Sequence, residues 1–121
     1  TRQMVNRESI AKMKDGVYLV NTARGGLVDF EAVLDGLKSG KIAGFASDVY
    51  DKEAPFIRKD LTGEKLEDPV LAELLSREDV ILTPHVAFFT ETSVSNLIRL
   101  SLESLIEFET TGTCEREVYR T

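Results

Sequence analysis

Three short apolar runs are spaced along the chain, with segments of helical period between them. Val17-Tyr18-Leu19-Val20 lacks alternation, as expected of a strand buried on both faces; Ile42 to Ser47 follows as a second strand, and Val80-Ile81-Leu82 is a third, stopped by Thr83-Pro84. Ahead of the first strand, Asn6 can cap a helix with Glu8 in its first turn and Val5 placed to staple against Ile10. That helix is predicted to run to Lys14, where Asp15-Gly16 breaks it. Asp29 can cap a second helix whose Ala32, Val33 and Leu37 face inward and which stops at Ser39-Gly40.

From Asp48 to Asp68 the pattern turns charged and irregular, with Pro55 and Gly63 and no sustained period, so it reads as a long surface excursion of the kind that is often functional. Pro69 to Leu75 is predicted to be a short helix. After the third strand, Val94, Leu97, Ile98, Ser101, Leu102, Leu105 and Phe108 form an apolar stripe at helical spacing, which is expected to pack along one side, and Gly112 ends this helix. Phe88-Phe89, at its approach, are expected to enter the core. Strands alternating with helices indicate an α/β fold with a parallel sheet and right-handed crossovers. Three strands are about half of the usual doubly wound sheet, so the expected fold is the C-terminal half of a Rossmann-like, parallel, three-layer sheet plus a C-terminal helix.

Composition narrows the classes of function. At 121 residues, 42% hydrophobic and 30% charged, the chain has the balance of one folded domain or part of a larger one. Its net charge of −6 and its lack of a basic cluster argue against nucleic acid as a partner. One cysteine, Cys114, rules out an internal disulfide and fits a reducing cytoplasm; with one histidine, no Cys/His metal set can be assembled, and no metal is expected. No apolar run approaches a membrane span, and the N-terminus lacks the apolar stretch of a signal peptide. There is no GxGxxG turn: Ala23-Arg24-Gly25-Gly26 has neither that spacing nor a partner acid in the expected place.

In an open parallel sheet, ligands bind at the carboxyl ends of the strands, where the outgoing loops converge. Those ends run here into Asn21-Thr22-Ala23-Arg24, Ser47-Asp48-Val49-Tyr50 and Thr83-Pro84-His85. An arginine, an acid and the sole histidine on one edge suit the reduction of a 2-oxo acid. The Arg24 guanidinium could grip a substrate carboxylate through two parallel hydrogen bonds and polarise the neighbouring carbonyl. His85 could deliver a proton to the carbonyl oxygen as hydride arrives, or remove it in reverse. Glu53 would orient it, since a carboxylate bonded to the far imidazole nitrogen fixes the tautomer and favours the charged ring. Taken singly, each residue has a plainer reading: Arg24 as a turn residue pairing with a surface carboxylate, His85 as a satisfied histidine, Glu53 as a solvated loop charge and Asp48 as a cap. Their joint placement at strand ends is what favours the chemistry.

The runs Met13 to Asp29, Ala43 to Glu53 and Val80 to His85 carry these residues in order, and together they resemble the D-isomer-specific 2-hydroxyacid dehydrogenases. Within that family the fermentative D-lactate dehydrogenases look most similar, through Tyr50-Asp51-Lys52-Glu53-Ala54-Pro55-Phe56, the long loop after it and Ala87-Phe88-Phe89-Thr90-Glu91-Thr92. The resemblance implies NAD as cofactor, a small 2-oxo or 2-hydroxy acid as substrate, probed first as pyruvate, and a homodimer. It implies that Arg24 binds carboxylate, His85 is the acid/base and Glu53 tunes it, while Asn21, Thr22 and Ala23 line the cofactor and Asp48 lies beside the nicotinamide ribose. Residues 1–86 would be the C-terminal half of the NAD-binding domain and 87–121 a helix and tail returning toward the substrate domain. The GxGxxG half has no counterpart here, which leaves NAD or NADP preference open and predicts that the 121 residues alone have negligible activity. Two alternatives stay open: an NAD(H)-sensing module like the family's co-repressors, and a non-catalytic dimerisation piece.

Overall fold

A computed structural model describes residues 2–56, 59–60 and 62–118; positions 57, 58 and 61 of the long excursion lie outside the described residues. The chain divides into two compact units, 1–87 and 88–121.

The first unit is built on three parallel strands in the order β1 (Val17–Asn21), β2 (Ile42–Ser47), β3 (Val80–Leu82). Three short helices connect or precede them: α1 (Arg7–Ala11), α2 (Phe30–Lys38) and α3 (Pro69–Leu75). Each helix starts where a side chain satisfies its orphan amides. Asn6 caps α1 in a reciprocal box with Ser9, Asp29 accepts from the Ala32 amide at 3.0 Å, and Asp68 caps α3 with Pro69 at the first helical position. The predicted strand spans at β2 and β3 and the span of α3 match the observed ones. Helix α1 is shorter than its expected end at Lys14. Lys12 is already its C-cap, because the chain must descend before Gly16 can donate to the Lys41 carbonyl and start β1.

All three helices bury their apolar sides in a single core on one face of the sheet. Val33 and Leu74 are fully buried, with Ile10, Phe30, Leu37, Ile42 and Phe45 around them and Val17, Leu19, Val80 and Leu82 packed against the cluster. The opposite face carries Tyr18, Val20 and Ile81 at 76%, 73% and 65% exposure. This corrects the expectation that β1 is buried on both faces: side chains alternate across a strand, and the helices of this unit cover one face only. Unit one therefore supplies a sheet and a single helical layer. Register places Asn21, Ser47 and Leu82 side by side at the carboxyl edge, so the three outgoing loops leave from one row.

The second unit is the long helix α4 (Glu91–Thr111) with its flanks. Thr90 caps it by accepting from the Ser93 amide, and Gly112 closes it at φ 76°, a left-handed conformation that glycine adopts without a side-chain clash. No residue of α4 is buried, and the stripe residues Leu97, Ile98, Leu102, Leu105 and Phe108 are each more than half exposed. Phe88 and Phe89 likewise do not enter a core. They meet edge to face at 6.1 Å and are 48% and 74% exposed. Among the described residues no helix is long and apolar enough to cross a membrane.

Candidate active site

The carboxyl edge holds a closely bonded cluster that begins at the end of β2. Asp48 is buried, yet every polar atom of its carboxylate is engaged. Oδ1 accepts from the Thr83 hydroxyl and from the Val86 amide at 2.9 Å, and Oδ2 accepts from the Ala87 amide at 2.9 Å. The Asp48 main chain is tied on both sides as well, its amide donating to the Asn21 carbonyl and its carbonyl accepting from the His85 amide at 2.8 Å. Burial pushes this carboxyl upward, but the Thr83 hydroxyl and the two amides outweigh it and hold Asp48 below its ordinary value of 3.8. Asp48 is thus a brace for the turn after β3. That turn needs one, because His85 sits at φ 56°, a region that non-glycine residues occupy only when their surroundings enforce it.

The braced turn aims His85 at the excursion after β2. Its Nδ1 lies 2.7 Å from Oε1 of Glu53. An ionised carboxylate can only accept, so Nδ1 carries the proton in this pair and Nε2 is left for other chemistry. The second Glu53 oxygen is also held, accepting from the Tyr50 amide at 3.0 Å. One flank of Glu53 borders a mostly apolar hollow of about 250 Å³ shared with Tyr50, Phe56, Leu71, Leu82 and Pro84. The pair is therefore partly screened, with side chains 33% and 29% exposed for His85 and Glu53.

On the other side of the edge, the loop after β1 is shaped from within. Asn21 is buried, its amide nitrogen donating to the Arg24 carbonyl at 3.0 Å and its oxygen accepting from the Ala23 amide at 3.1 Å. Its side chain holds the loop, whereas Thr22, Ala23 and Arg24 are exposed. Among the described residues the Arg24 guanidinium donates to the Ala23 carbonyl, at 2.8 Å, and makes no ion pair. Beyond Arg24, the loop is stitched to the N-terminal segment by the Val5–Val28 bridge. Gly25 is obligatory for a different reason: a Cβ there would lie 2.3 Å from the Tyr50 carbonyl carbon and the Asp51 amide, so the Arg24 loop rests directly on the segment leading to Glu53.

The structure thus brings His85, Glu53 and Asp48 into one bonded group and sets Arg24, Thr22 and Ala23 on the same edge; among the described residues no hydrogen bond or ion pair joins Arg24 to the histidine pair. Two contributors stand in the motifs without a role that the sequence assigns, Thr83 and Tyr50, whose partners lie 35 and 18 positions away. The only local signal was Asp68-Pro69, an N-cap followed by a helix-starting proline.

A parallel α/β domain with open loops and a carboxylate-oriented histidine at its carboxyl edge has the layout of a nucleotide-dependent oxidoreductase domain. Residues 1–87 match the family described as D-isomer specific 2-hydroxyacid dehydrogenase, NAD binding domain. The chain belongs to this family. It is 48% identical over 114 residues to an aromatic 2-oxoacid reductase of Clostridium sporogenes, covering 94% of this chain and 34% of that protein. It superposes on the crystal structure of a D-lactate dehydrogenase from Treponema pallidum with a TM-score of 0.90 at 44% identity, covering 98% of this chain and 36% of the other. A D-lactate dehydrogenase with NAD+ from Lactobacillus jensenii gives 0.86 at 33% identity, over 100% and 36% of the two chains. The chain spans about a third of the length of the curated relatives it matches.

The family's domain binds NAD, and the residues at the carboxyl edge are compatible with holding it. Thr22 and Ala23 are exposed in the loop after β1, and Gly25 has no room for a side chain, so that loop leaves the carboxyl edge open to a bound group.

Proposed function

We propose that these residues form the catalytic edge of an NADH-dependent reductase that converts a 2-oxo acid, pyruvate in the first instance, to the D-2-hydroxy acid. The observation that carries this reading is the 2.7 Å contact between His85 Nδ1 and Glu53 Oε1 at the carboxyl edge of the sheet. Arg24, exposed and unpaired, binds the substrate carboxylate through its two-pronged guanidinium and draws electron density from the adjacent carbonyl. When bound, NADH supplies the hydride that forms the new C–H bond at C2. The protonated His85 gives its Nε2 proton to the carbonyl oxygen, so one hydride and one proton together make the hydroxyl acid, and the ring recovers its proton from water. Glu53 holds the Nδ1 proton and stabilises the ring while it is charged. Thr22 and Ala23 line the cofactor, Asn21 shapes their loop from beneath, and Asp48 lies beside the nicotinamide ribose while it fixes the turn that carries His85.

The names borne by the relatives support the class, D-lactate dehydrogenase in Treponema pallidum and Lactiplantibacillus plantarum among them. A second substrate reading, an aromatic 2-oxo acid, is favoured by the aromatic 2-oxoacid reductase of Clostridium sporogenes. In the same reading the protein acts in the cytoplasm as a homodimer, and the tail from position 87 returns toward a substrate domain. The test is an NADH-oxidation assay of the full-length protein that carries this segment, run against pyruvate, phenylpyruvate and phosphohydroxypyruvate. Turnover that prefers pyruvate is expected. Preference for phenylpyruvate selects the second reading. Tight NADH binding with no turnover of any 2-oxo acid overturns both in favour of a sensing module. The 121 residues alone should show negligible turnover with pyruvate and NADH.

A further inference from the structure

We infer that Tyr50 is a positioning residue: it fastens both ends of the long excursion after β2 and so holds the Glu53 carboxylate against His85, an assignment that rests on the reductase reading above. Four attachments meet at this one residue. Its amide donates to Oε2 of Glu53 at 3.0 Å, the only hold on that oxygen among the described residues. Its hydroxyl donates to Oδ2 of Asp68 at 2.9 Å, joining positions 18 apart in sequence. Its ring meets Phe30 edge to face at 4.5 Å, and Phe30 is a buried member of the core. Its peptide carbon abuts Gly25, with room for no side chain there.

The hydroxyl bond is more than a surface contact because both partners are pinned. Asp68 offers its other oxygen, Oδ1, to the Val70 and Leu71 amides at 3.0 and 3.1 Å, so it moves only if the start of α3 moves. Burial and then the bond to Asp68 push the Tyr50 phenol upward, which keeps it a donor throughout the neutral range. Glu53 lies between these two ends, and Phe56 turns back to donate its amide to the Glu53 carbonyl at 2.8 Å. An excursion of this length would, unfastened, carry its carboxylate loosely. Clasping its root from core-anchored Tyr50 to helix-anchored Asp68 removes that freedom close to where the catalytic contact is made.

The role can be separated from mere stability. In the full-length protein, Tyr50→Phe keeps the ring and its packing but loses the clasp, and Asp68→Ser keeps a good helix cap while being too short for Tyr50. Each should lower kcat about tenfold, less than the hundredfold that an ångström of misplacement can cost, with KM for the 2-oxo acid and the Kd for NADH within about twofold of the parent. Because both act through Glu53, adding Tyr50→Phe to Glu53→Gln should produce no further loss. Full multiplication of the two losses, or a Tyr50→Phe variant with parental kcat, overturns the inference. A second readout needs no turnover. In NMR, the hydrogen-bonded Nδ1 proton, assigned to His85 by its disappearance in His85→Ala, should exchange with water markedly faster in Tyr50→Phe and Asp68→Ser than in the parent. Unchanged exchange counts against the clasp. A parent that reduces no 2-oxo acid sinks the reductase reading, and the exchange measurement still decides the positioning.

Discussion

The two sides of the carboxyl edge are built on opposite plans. On the β2–β3 side the acids and the histidine are held from within the protein: Asp48 is saturated by Thr83, Val86 and Ala87, and Glu53 holds Nδ1 of His85, leaving Nε2 open. On the β1 side, Asn21 stiffens the loop from below, but the guanidinium of Arg24 stays exposed with nothing beyond its own neighbour's carbonyl. The difference fits two kinds of work. Proton transfer needs a donor fixed in tautomer and direction before substrate arrives, whereas an anion clamp must keep its hydrogen-bonding capacity for the ligand. If this division is right, damage on the two sides should appear in different kinetic constants.

The largest effect is expected on the closed side. His85→Ala removes the proton donor and should lower kcat by roughly a hundredfold to ten-thousandfold, the range typical of general acid–base groups, with KM changed far less. Steady-state NADH oxidation by the full-length variant measures both constants. A loss expressed mainly in KM would break the division. On the open side, Arg24→Lys keeps the charge but not the fork. It should reduce kcat/KM by about tenfold to a hundredfold, carried mostly by KM for the 2-oxo acid. Near-normal kinetics in this variant would remove Arg24 from the carboxylate site.

How much of this was legible beforehand depended on how far apart the partners lie. Caps act within one helical turn, so Asn6 and Asp29 were recognisable, and with them the starts of α1 and α2. Strand ends rich in polar residues place Arg24, Asp48 and His85 on one edge, and the contact of His85 with Glu53, 32 positions away, is expected from the need of a catalytic imidazole for an orienting carboxylate and from the resemblance of motifs. Other features could not be read. An unbroken apolar run such as Val17 to Val20 looks the same whether both faces are covered within the chain or one of them is left open, as it is here at Tyr18 and Val20. Phe88 and Phe89 are apolar enough for a core that the second unit does not itself provide. Asp48 reads as a ribose neighbour or a local cap. Its bracing of a turn 35 to 39 positions downstream follows from the parallel pairing of β2 with β3, which puts Ser47 beside Leu82.

The smallest expected effect is also the most direct probe of that brace. Thr83→Val preserves shape while deleting the hydroxyl that donates to Asp48. The loss of one hydrogen bond to a buried carboxylate should cost about 1–2 kcal/mol of stability at neutral pH, read from denaturant unfolding. The pH dependence carries the sign. Asp48 is held below 3.8 in the folded protein, so its contribution is complete above the unfolded value and is lost as pH falls through the lower folded one. Without the Thr83 donor the folded value moves back toward 3.8 and the contribution shrinks. The parent and Thr83→Val should therefore differ most at neutral pH, and the gap should narrow as pH falls below 3.8 and close once it has passed the parent's lower folded value, where Asp48 is protonated in both. KM for the 2-oxo acid should be untouched, since the open side is unaltered. A stability gap that stays constant through the acid range would mean that the hydroxyl contributes by packing alone and that Asp48 is braced by the Val86 and Ala87 amides without it.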